Sequence, residues 1–317
     1  MERFAFIIHP LKPKQAARKY PVARLLPDFL LEKLLHKQHS RIASHITGVK
    51  SATGIEAEGW FVGCPLTPKA IMTMPEEFTV GKIIESARIA QEQGAGIVGL
   101  GAYTSIAGDA GITVAKNVDI AVTTGNSYTV ATAVEGLLQA AELMRHKPSE
   151  SLCTIIGATG SVGRTCAILL ADSVAGLRLV GRDSARTERV AAEVREVCPD
   201  CPVEITSDIE ASLKDVPLVV TVTSAIESVI QPAWLAKGAV VCDVARPRDV
   251  SVAVAKERQD VLVIEGGVVS VPGQVEFRMD FGFPPCTAYA CMSETMILAL
   301  EGRYESFSLG RDIEPDK

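Results

Sequence analysis

Three glycines at three-residue intervals form the first candidate for a chemical site. Gly157, Gly160 and Gly163 follow the β-branched run at 154–156 and precede a stretch with helical spacing. In dinucleotide-binding folds such glycines make a tight turn, let the backbone approach a pyrophosphate and let the helix pack closely on the strand. The helix N–H groups then hold the phosphates. The spacing differs from the strict G-x-G-x-x-G pattern, so the strand before and the helix after carry the prediction. The predicted cofactor contacts here are Gly157, Ala158, Thr159, Gly160, Ser161, Val162 and Gly163.

The residue after the second strand of such a domain selects the cofactor. Enzymes that use NAD place Asp or Glu there, against the ribose hydroxyls. In this chain Arg182 follows the run at 177–180, and Asp183 is adjacent. Because a guanidinium suits a 2′-phosphate in charge and in geometry, the sequence favours NADPH over NADH.

Two further segments are predicted to contact the nicotinamide half of the cofactor, because each follows a predicted strand. They are Thr223, Ser224 and Ala225, and then Gly266, Gly267 and Val268.

The eight cysteines divide by context. Four of them read as small buried hydrophobes: Cys64, Cys153, Cys166 and Cys242. Cys198 and Cys201 form a single C-x-x-C without a second pair or nearby histidines, so no metal site is predicted. Cys286 and Cys291 lie at the entry of a last predicted helix, which we expect Pro284 and Pro285 to mark. Taken alone, a cysteine in an apolar helix is more often a core residue than a nucleophile.

The elements around these residues predict an α/β protein. Alternation at 46–49 and 55–62 indicates a β-hairpin, and helical spacing follows from 83 to 94. Strands at 96–100 and 119–123 precede a long helix at 127–146. Residues 151–270 repeat the alternation with five short runs typical of a buried parallel sheet. A helix is predicted between the first two runs, at 162–175, and another at 184–197. We therefore expect an α/β substrate domain at 1–150, a Rossmann-like doubly wound nucleotide-binding domain at 151–275 and a C-terminal helical segment at 276–317 that returns to the cleft.

Composition limits the class of protein. With 47% hydrophobic and 22% charged residues among 317, the chain has the balance of a soluble globular protein. No apolar stretch reaches the roughly 18 to 20 residues that cross a bilayer, so no integral membrane segment is expected. Scattered cysteines favour a reducing, cytoplasmic location.

Charge is unevenly spread along the chain. Residues 1–50 carry a net +7 and the remainder −13. The basic segment suggests an acidic partner, such as phosphates or an acidic carrier protein, or only a solvated surface. Without a binding motif, nucleic acid is not expected. Four histidines of this segment are explained by solvated faces and turns without metal: His9, His36, His39 and His45.

Several motifs in one order carry a resemblance. They are SATG at 51–54, GAYTSI at 101–106, TTGNS at 123–127, the glycine turn, GGVV at 266–269, AC at 290–291, EG at 301–302 and FSLGR at 307–311. With these motifs the chain resembles the long-chain acyl-(acyl carrier protein) reductases best known from cyanobacteria, over most of its length. The resemblance implies NADPH-dependent reduction of a fatty acyl thioester, on acyl carrier protein or coenzyme A, to the aldehyde. It also implies an aldehyde-consuming enzyme as a partner. Residues 270–285 depart from the family pattern and leave acyl length open.

The resemblance assigns the nucleophile to Cys291. A thiolate at a helix start attacks the thioester, and hydride addition to the acyl-enzyme releases the aldehyde. Hydride addition gives a thiohemiacetal oxyanion, and its collapse to the aldehyde needs stabilisation of the oxyanion more than a strong base. Asn126, Thr104 and Ser105 are candidates to donate to the acyl oxygen or to the carboxamide of the cofactor, although helix caps and turns explain such residues equally well.

Two other functions stay open. A shikimate- or quinate-type alcohol dehydrogenase also places a substrate domain first, but it needs a lysine–aspartate pair for which Lys116 and Asp119 are a poor match. The other alternative is a non-enzymatic protein that senses the dinucleotide and signals through its basic surface.

Overall fold

The computed structural model of the chain describes residues 1–16 and 25–315. Arg18, Lys19 and Arg24 of the basic N-terminal segment lie outside the described residues. The strands, numbered in chain order, are β1 (Glu2–Ile8), β2 (Arg41–Lys50), β3 (Glu56–Gly63), β4 (Ile97–Leu100), β5 (Ala121–Thr123), β6 (Leu152–Ile156), β7 (Gly176–Val180), β8 (Val203–Thr206), β9 (Leu218–Thr221), β10 (Val240–Asp243), β11 (Leu262–Glu265), β12 (Val268–Ser270), β13 (Gly273–Glu276) and β14 (Thr287–Tyr289). The α-helices are α1 (Pro13–Ala16), α2 (Asp28–His36), α3 (Pro68–Thr73), α4 (Glu76–Glu92), α5 (Ile112–Ala115), α6 (Asn126–Leu143), α7 (Ser161–Leu170), α8 (Ser184–Val197), α9 (Ile209–Leu213), α10 (Val252–Glu257) and α11 (Ala290–Leu300).

The chain folds into two compact units, Met1–Gly125 with Val269–Arg311, and Asn126–Val268 with the tail from Asp312. This division differs from the expected domain boundaries at 150 and 275. The reason is that α6 buries its apolar face in the core of the second unit, with Val130, Leu137 and Ala141 against that sheet. Helical spacing predicts which face of α6 is apolar but not which sheet receives it.

A six-stranded mixed sheet organises the first unit, in the order β13-β2-β3-β1-β4-β5. β3, β1, β4 and β5 are parallel, and β2 is antiparallel to both β3 and β13. The β2–β3 pair confirms the predicted hairpin. Because parallel strands end at one edge, the segments after β1, β4 and β5 meet there.

Helices cover both faces of this first sheet. α4 packs Val80, Ile83, Ala87 and Ala90 against one face, at the spacing of an amphipathic helix. On the other face α11 packs against β1 and β4, and its Met292 and Met296 join the same core cluster as Phe6 and Ile97. α11 is therefore fixed by burial on its sheet.

The second unit is a six-stranded parallel sheet in the order β11-β10-β9-β6-β7-β8. This is the doubly wound order, which reverses direction between β6 and β9 and places ligand sites beyond the carboxyl ends of those strands. The predicted Rossmann-like fold is confirmed. β8 was not predicted, because its half-exposed edge sequence lacks the apolar run of the inner strands. The helix predicted at 184–197 is α8.

Candidate active site

Cys291 is the second residue of α11 and is half-buried. The prediction that it lies in the first turn of this helix is confirmed. The expectation that Pro284 and Pro285 begin the helix was wrong, because residues 287–289 form β14, which pairs with β12, and the helix starts only at Ala290. Cys286 lies outside the helix, in the segment before β14, with a φ of 57°.

Gly125 covers the backbone of Cys291. A Cβ atom built on Gly125 would lie 2.3 Å from both Cα and Cβ of Cys291, and the φ of Gly125 is +75°. Only glycine satisfies both this contact and this backbone conformation. The turn at 123–125, which follows β5 at the carboxyl edge of the first sheet, is therefore in direct contact with the candidate nucleophile.

A buried carboxyl group lies one helical turn beyond Cys291. Glu294 is 3% exposed, and its Oε1 accepts hydrogen bonds from the hydroxyls of Thr123 and of Ser308, the latter at 2.9 Å. Thr124 donates its hydroxyl to the carbonyl oxygen of Ser308. Glu294 was not predicted as a site residue, although an acidic residue within a largely apolar helix was the available signal.

Thr104 and Ser105 lie in a 3-10 helix at Ala102–Ser105, and both are buried. Thr104 donates its hydroxyl to Gly101 O at 2.8 Å and accepts from Gly101 N, and Ser105 donates to Ala102 O at 2.7 Å. These bonds are the turn chemistry weighed as the alternative to a catalytic role. The geometry favours that alternative for both residues.

His9 lies at the carboxyl end of β1, beside the same 3-10 helix. Its Nε2 accepts from Tyr103 N–H at 3.3 Å, its Nδ1 is 3.4 Å from Pro10 O, and its ring meets the Tyr103 ring edge-on at 5.8 Å. Burial lowers the pKa of His9 to about 4. His9, expected on a solvated face or in a turn without metal, is a neutral histidine in the segment after β1 that holds a loop at the strand edge.

The four cysteines interpreted as buried hydrophobes are all buried: Cys64, Cys153, Cys166 and Cys242. Burial raises the pKa of the Cys64 and Cys166 thiols to about 12. A buried, protonated thiol is a poor nucleophile, and these cysteines are therefore structural. In the described part of the chain, no three or more His, Cys, Asp or Glu residues form a group that could hold a metal ion.

The glycine turn of the second unit connects β6 to α7. Gly157 has a φ of +87°, and a Cβ there would lie 2.6 Å from Val222 O. A Cβ on Gly163 would lie 2.4 Å from Gly157 O, so α7 packs directly on the turn. Ser161 begins α7. This is the strand–turn–helix context that the dinucleotide prediction requires, with the helix start available to phosphates.

Asn126 belongs to the second unit and contacts this turn. Its side-chain amide donates to Ser161 Oγ at 3.2 Å. The structure therefore places Asn126 with the predicted cofactor contacts of α7, whereas Thr104 and Ser105 belong to the first unit.

Arg182 follows β7 and is exposed, and no hydrogen bond or ion pair ties its guanidinium to the described residues. Asp183 has another role, because its carboxylate caps α8 by accepting from Arg186 N at 3.1 Å. The residue that could compete for the ribose is thus engaged in a helix cap.

Thr223 is held by an aspartate that was not predicted as a site residue. Asp249 is fully buried and accepts from the hydroxyls of Thr221 and Thr223, both at 2.6 Å, and from Thr223 N at 2.8 Å. Ala225 N donates to Thr223 Oγ1 at 3.1 Å, which orders the predicted nicotinamide segment around Ser224. Nearby Asp243 is also buried, and burial raises its pKa to about 6.

Close packing explains why residue 266 is a glycine. A Cβ there would lie 2.3 Å from Cys242 Sγ, whereas a Cβ on Gly267 would meet only Thr129 Cγ2 at 3.9 Å. Val268 begins β12. Of these two glycines, Gly267 is therefore the one at which a Cβ atom would fit without a close contact.

No helix in the described ranges has the length and hydropathy to cross a membrane.

Known proteins are similar to this chain in a family model, in two relatives and in a solved structure. The family model of shikimate/quinate 5-dehydrogenases matches residues 139–265, which lie within the second unit. The chain is 32% identical to the aminotransferase PigE of Serratia sp. over 273 residues, which are 84% of this chain and 31% of that protein. The chain thus spans about a third of the length of PigE.

The chain is also 27% identical to the long-chain acyl-[acyl-carrier-protein] reductase of Synechococcus elongatus, over 86% of this chain and 81% of that protein. Among solved structures, shikimate 5-dehydrogenase from Listeria monocytogenes in complex with shikimate and NAD aligns with a TM-score of 0.41 and 13% identity, covering 84% of this chain and 87% of that one.

The dehydrogenase family match and the reductase relative, together with the glycine turn, support an NAD(P)-dependent oxidoreductase. They do not distinguish NADP from NAD.

Proposed function

We propose that this chain reduces a fatty acyl thioester to the aldehyde with NADPH, through an acyl-enzyme on Cys291. The observation that carries the proposal is the position of Cys291 in the first turn of α11, half-buried beneath the turn at 123–125. The positive end of a helix dipole stabilises a thiolate, which is the form that attacks a thioester.

The first step joins the acyl group to the enzyme. The Cys291 thiolate attacks the carbonyl carbon, the bond to the carrier sulfur breaks, and the carrier leaves as a thiol after taking up a proton. N–H groups in the first turn of a helix lack intrahelical partners, so the start of α11 is a donor set for the oxyanion. The hydroxyl of Thr123 donates to Glu294 and that of Thr124 donates to Ser308 O. The oxyanion therefore does not depend on these two hydroxyls as donors.

The second step needs a hydride, and a bound NADPH would supply it. The residues fit this cofactor. The turn from Gly157 to Gly160 and the start of α7 suit a pyrophosphate, exposed Arg182 suits a 2′-phosphate, and Asp249 holds Thr223 in the predicted nicotinamide segment. After reduction, the thiohemiacetal on Cys291 collapses to the aldehyde and restores the thiolate.

The relative with long-chain acyl-[acyl-carrier-protein] reductase activity supports this proposal through its name and its coverage of 86% of this chain. The carrier is acyl carrier protein or coenzyme A. A basic segment at 1–50 favours the acidic carrier protein.

A shikimate-type reaction is the second candidate, because the matched family has that name. The match lies in the nucleotide-binding unit and leaves the first unit unmatched. There Lys116 and Asp119 are exposed and precede β5, so they lie at the amino end of the strand, away from the edge where β1, β4 and β5 end. Asp119 is bonded to the Gln91 side chain at 2.9 Å. This geometry disfavours a lysine–aspartate catalytic pair.

The decisive experiment is acylation without cofactor. The purified chain is incubated with a mixture of acyl thioesters, on coenzyme A and on acyl carrier protein, and the intact protein is weighed. We expect an acyl adduct on wild type, its absence from Cys291→Ala, and its retention by the matched control Cys286→Ala. With NADPH added, aldehyde should form only where the adduct forms.

Other outcomes would overturn the proposal. Aldehyde formation by Cys291→Ala would exclude the covalent route. Turnover of shikimate or quinate without any adduct would favour the dehydrogenase. NADPH binding with neither adduct nor turnover would favour a non-enzymatic sensor.

A further inference from the structure

Glu294 is a buried acid whose presence packing does not explain. It lies in a helix whose other residues are apolar apart from Ser293 and Thr295, and it is 3% exposed. Burying a carboxyl group costs free energy that a hydrophobic residue of similar size would avoid. Its position three residues after Cys291 places both side chains on one side of α11.

The hydrogen bonds around Glu294 have a definite direction. A hydroxyl has one hydrogen to donate, and that of Thr123 donates to Glu294. The lone pairs of Thr123 Oγ1 are then left to accept, and Gly125 N–H lies 3.3 Å from that oxygen. Glu294 therefore sets the orientation of Thr123, and Thr123 ties the backbone of Gly125.

A second connection reaches the same carboxyl group from the C-terminal segment. Ser308 donates to Glu294 at 2.9 Å, its carbonyl oxygen accepts from Thr124, and Phe307 N donates to Val122 O at 3.0 Å. Through Glu294, three separate segments of the first unit meet around the turn at 123–125. That turn is the one whose Gly125 lies against the backbone of Cys291.

We propose that Glu294 and Thr123 are a positioning pair, which holds the turn at 123–125 against Cys291 in the arrangement that acyl transfer requires. Neither residue touches the reacting atoms in this proposal, which rests on the proposed function of Cys291. Displacement of a reacting group by about 1 Å can cost about 10²-fold in rate, so a positioning pair is visible in the acylation rate.

The test compares two substitutions of Thr123. Thr123→Val keeps the shape of the side chain and removes the hydroxyl, whereas Thr123→Ser keeps the hydroxyl. Single-turnover acylation of Cys291 by an acyl-coenzyme A without NADPH is followed by intact mass, over a range of thioester concentrations. Thermal unfolding of each variant gives the temperature at which all are folded, and the assay is run there.

We expect Thr123→Val to lower the maximal acylation rate about 10²-fold while the half-saturating thioester concentration stays within about threefold of wild type. Thr123→Ser should restore the rate to within about threefold. Ser308→Ala, which removes the second donor to Glu294, should also slow acylation and leave half-saturation unchanged.

The outcomes separate the two proposals. An unacylated wild type would overturn the proposed function and this pair with it. An acylated wild type together with a Thr123→Val variant that reacts at the same rate would overturn only the positioning pair. The pair also fails if the folded Thr123→Ser variant is as slow as Thr123→Val, or if the loss lies entirely in half-saturation.

Discussion

Gly125 and Cys291 are in direct backbone contact, with no room for a methyl group between them. A Cβ on Gly125 would lie 2.3 Å from Cα and Cβ of Cys291 and 2.7 Å from its carbonyl oxygen. Because backbone atoms cannot move aside as a flexible side chain can, this contact ties the turn after β5 to the start of α11.

The substitution Gly125→Ala should therefore strongly slow acylation of Cys291. The new methyl group must displace either the turn or the helix start, and the φ of +75° adds strain. We expect the acylation rate to fall at least about 10²-fold, as measured by intact mass.

Gly54→Ala is the matched control for that experiment. Gly54 has a φ of +90°, and a Cβ there has nothing within 4 Å, so it tests strain without contact. It should cost about 1 to 2 kcal/mol of stability and leave the acylation rate unchanged. Equal loss of acylation in both variants would mean that strain, not contact with Cys291, is responsible.

Gly163→Ala should weaken binding of NADPH. Its Cβ would lie 2.4 Å from Gly157 O, so α7 must move away from the glycine turn that we expect to hold the pyrophosphate. We expect the dissociation constant to rise at least about tenfold in a titration of nicotinamide fluorescence, which corresponds to about 1.4 kcal/mol.

Gly136 provides the matched control within the same unit. It lies inside α6, and a Cβ there would meet only Ile264 Cδ1, at 3.5 Å. Gly136→Ala should bind NADPH as wild type does and be more stable by about 0.5 to 1 kcal/mol. Unchanged NADPH affinity in Gly163→Ala would place the cofactor elsewhere.

Local patterns made the glycine turn predictable and left other residues of the two units hidden. The strand, turn and helix from β6 to α7 are contiguous, and glycine requirements are local, so the sequence identified them. Glu294 and Thr123 are 171 positions apart, and Thr223 and Asp249 are 26 apart. Such pairs arise only when the fold brings a strand end against another strand end or a helix, which spacing along one element does not indicate.

Arg182→Ala should reduce the preference for NADPH over NADH. An exposed guanidinium two residues after β7 can pair with a 2′-phosphate, and a hydrogen bond to a charged group contributes about 1.5 to 3 kcal/mol. We expect affinity for NADPH to fall about 10- to 100-fold, while affinity for NADH changes less than about threefold.

Arg195 is the control arginine, since it is exposed on α8 and pairs with Glu188 at 2.7 Å. Arg195→Ala should leave both affinities as they are. A parallel loss of NADPH and NADH affinity in Arg182→Ala would argue for a general phosphate contact instead of recognition of the 2′-phosphate.

His9 gives the first unit a pH-dependent stability of defined sign. Its folded pKa is about 4, below the ordinary value of 6.5. Between these values the unfolded chain binds the proton and the folded chain does not, so stability contributed by neutral His9 is lost as pH falls from about 6.5 toward 4. His9→Gln removes the titration while its amide oxygen can still accept from Tyr103 N–H.

Urea unfolding at pH 7 and pH 5 tests this assignment. In a Trp234→Phe background, Trp60 in β3 is the remaining tryptophan and its fluorescence follows the first unit. Wild type should lose on the order of 1 to 2 kcal/mol more than His9→Gln between the two pH values. All other titrating groups are common to both proteins and cancel in this comparison. Identical pH dependence in the two would show that His9 titrates normally, and its role in holding the 3-10 helix at the strand edge would have to be abandoned.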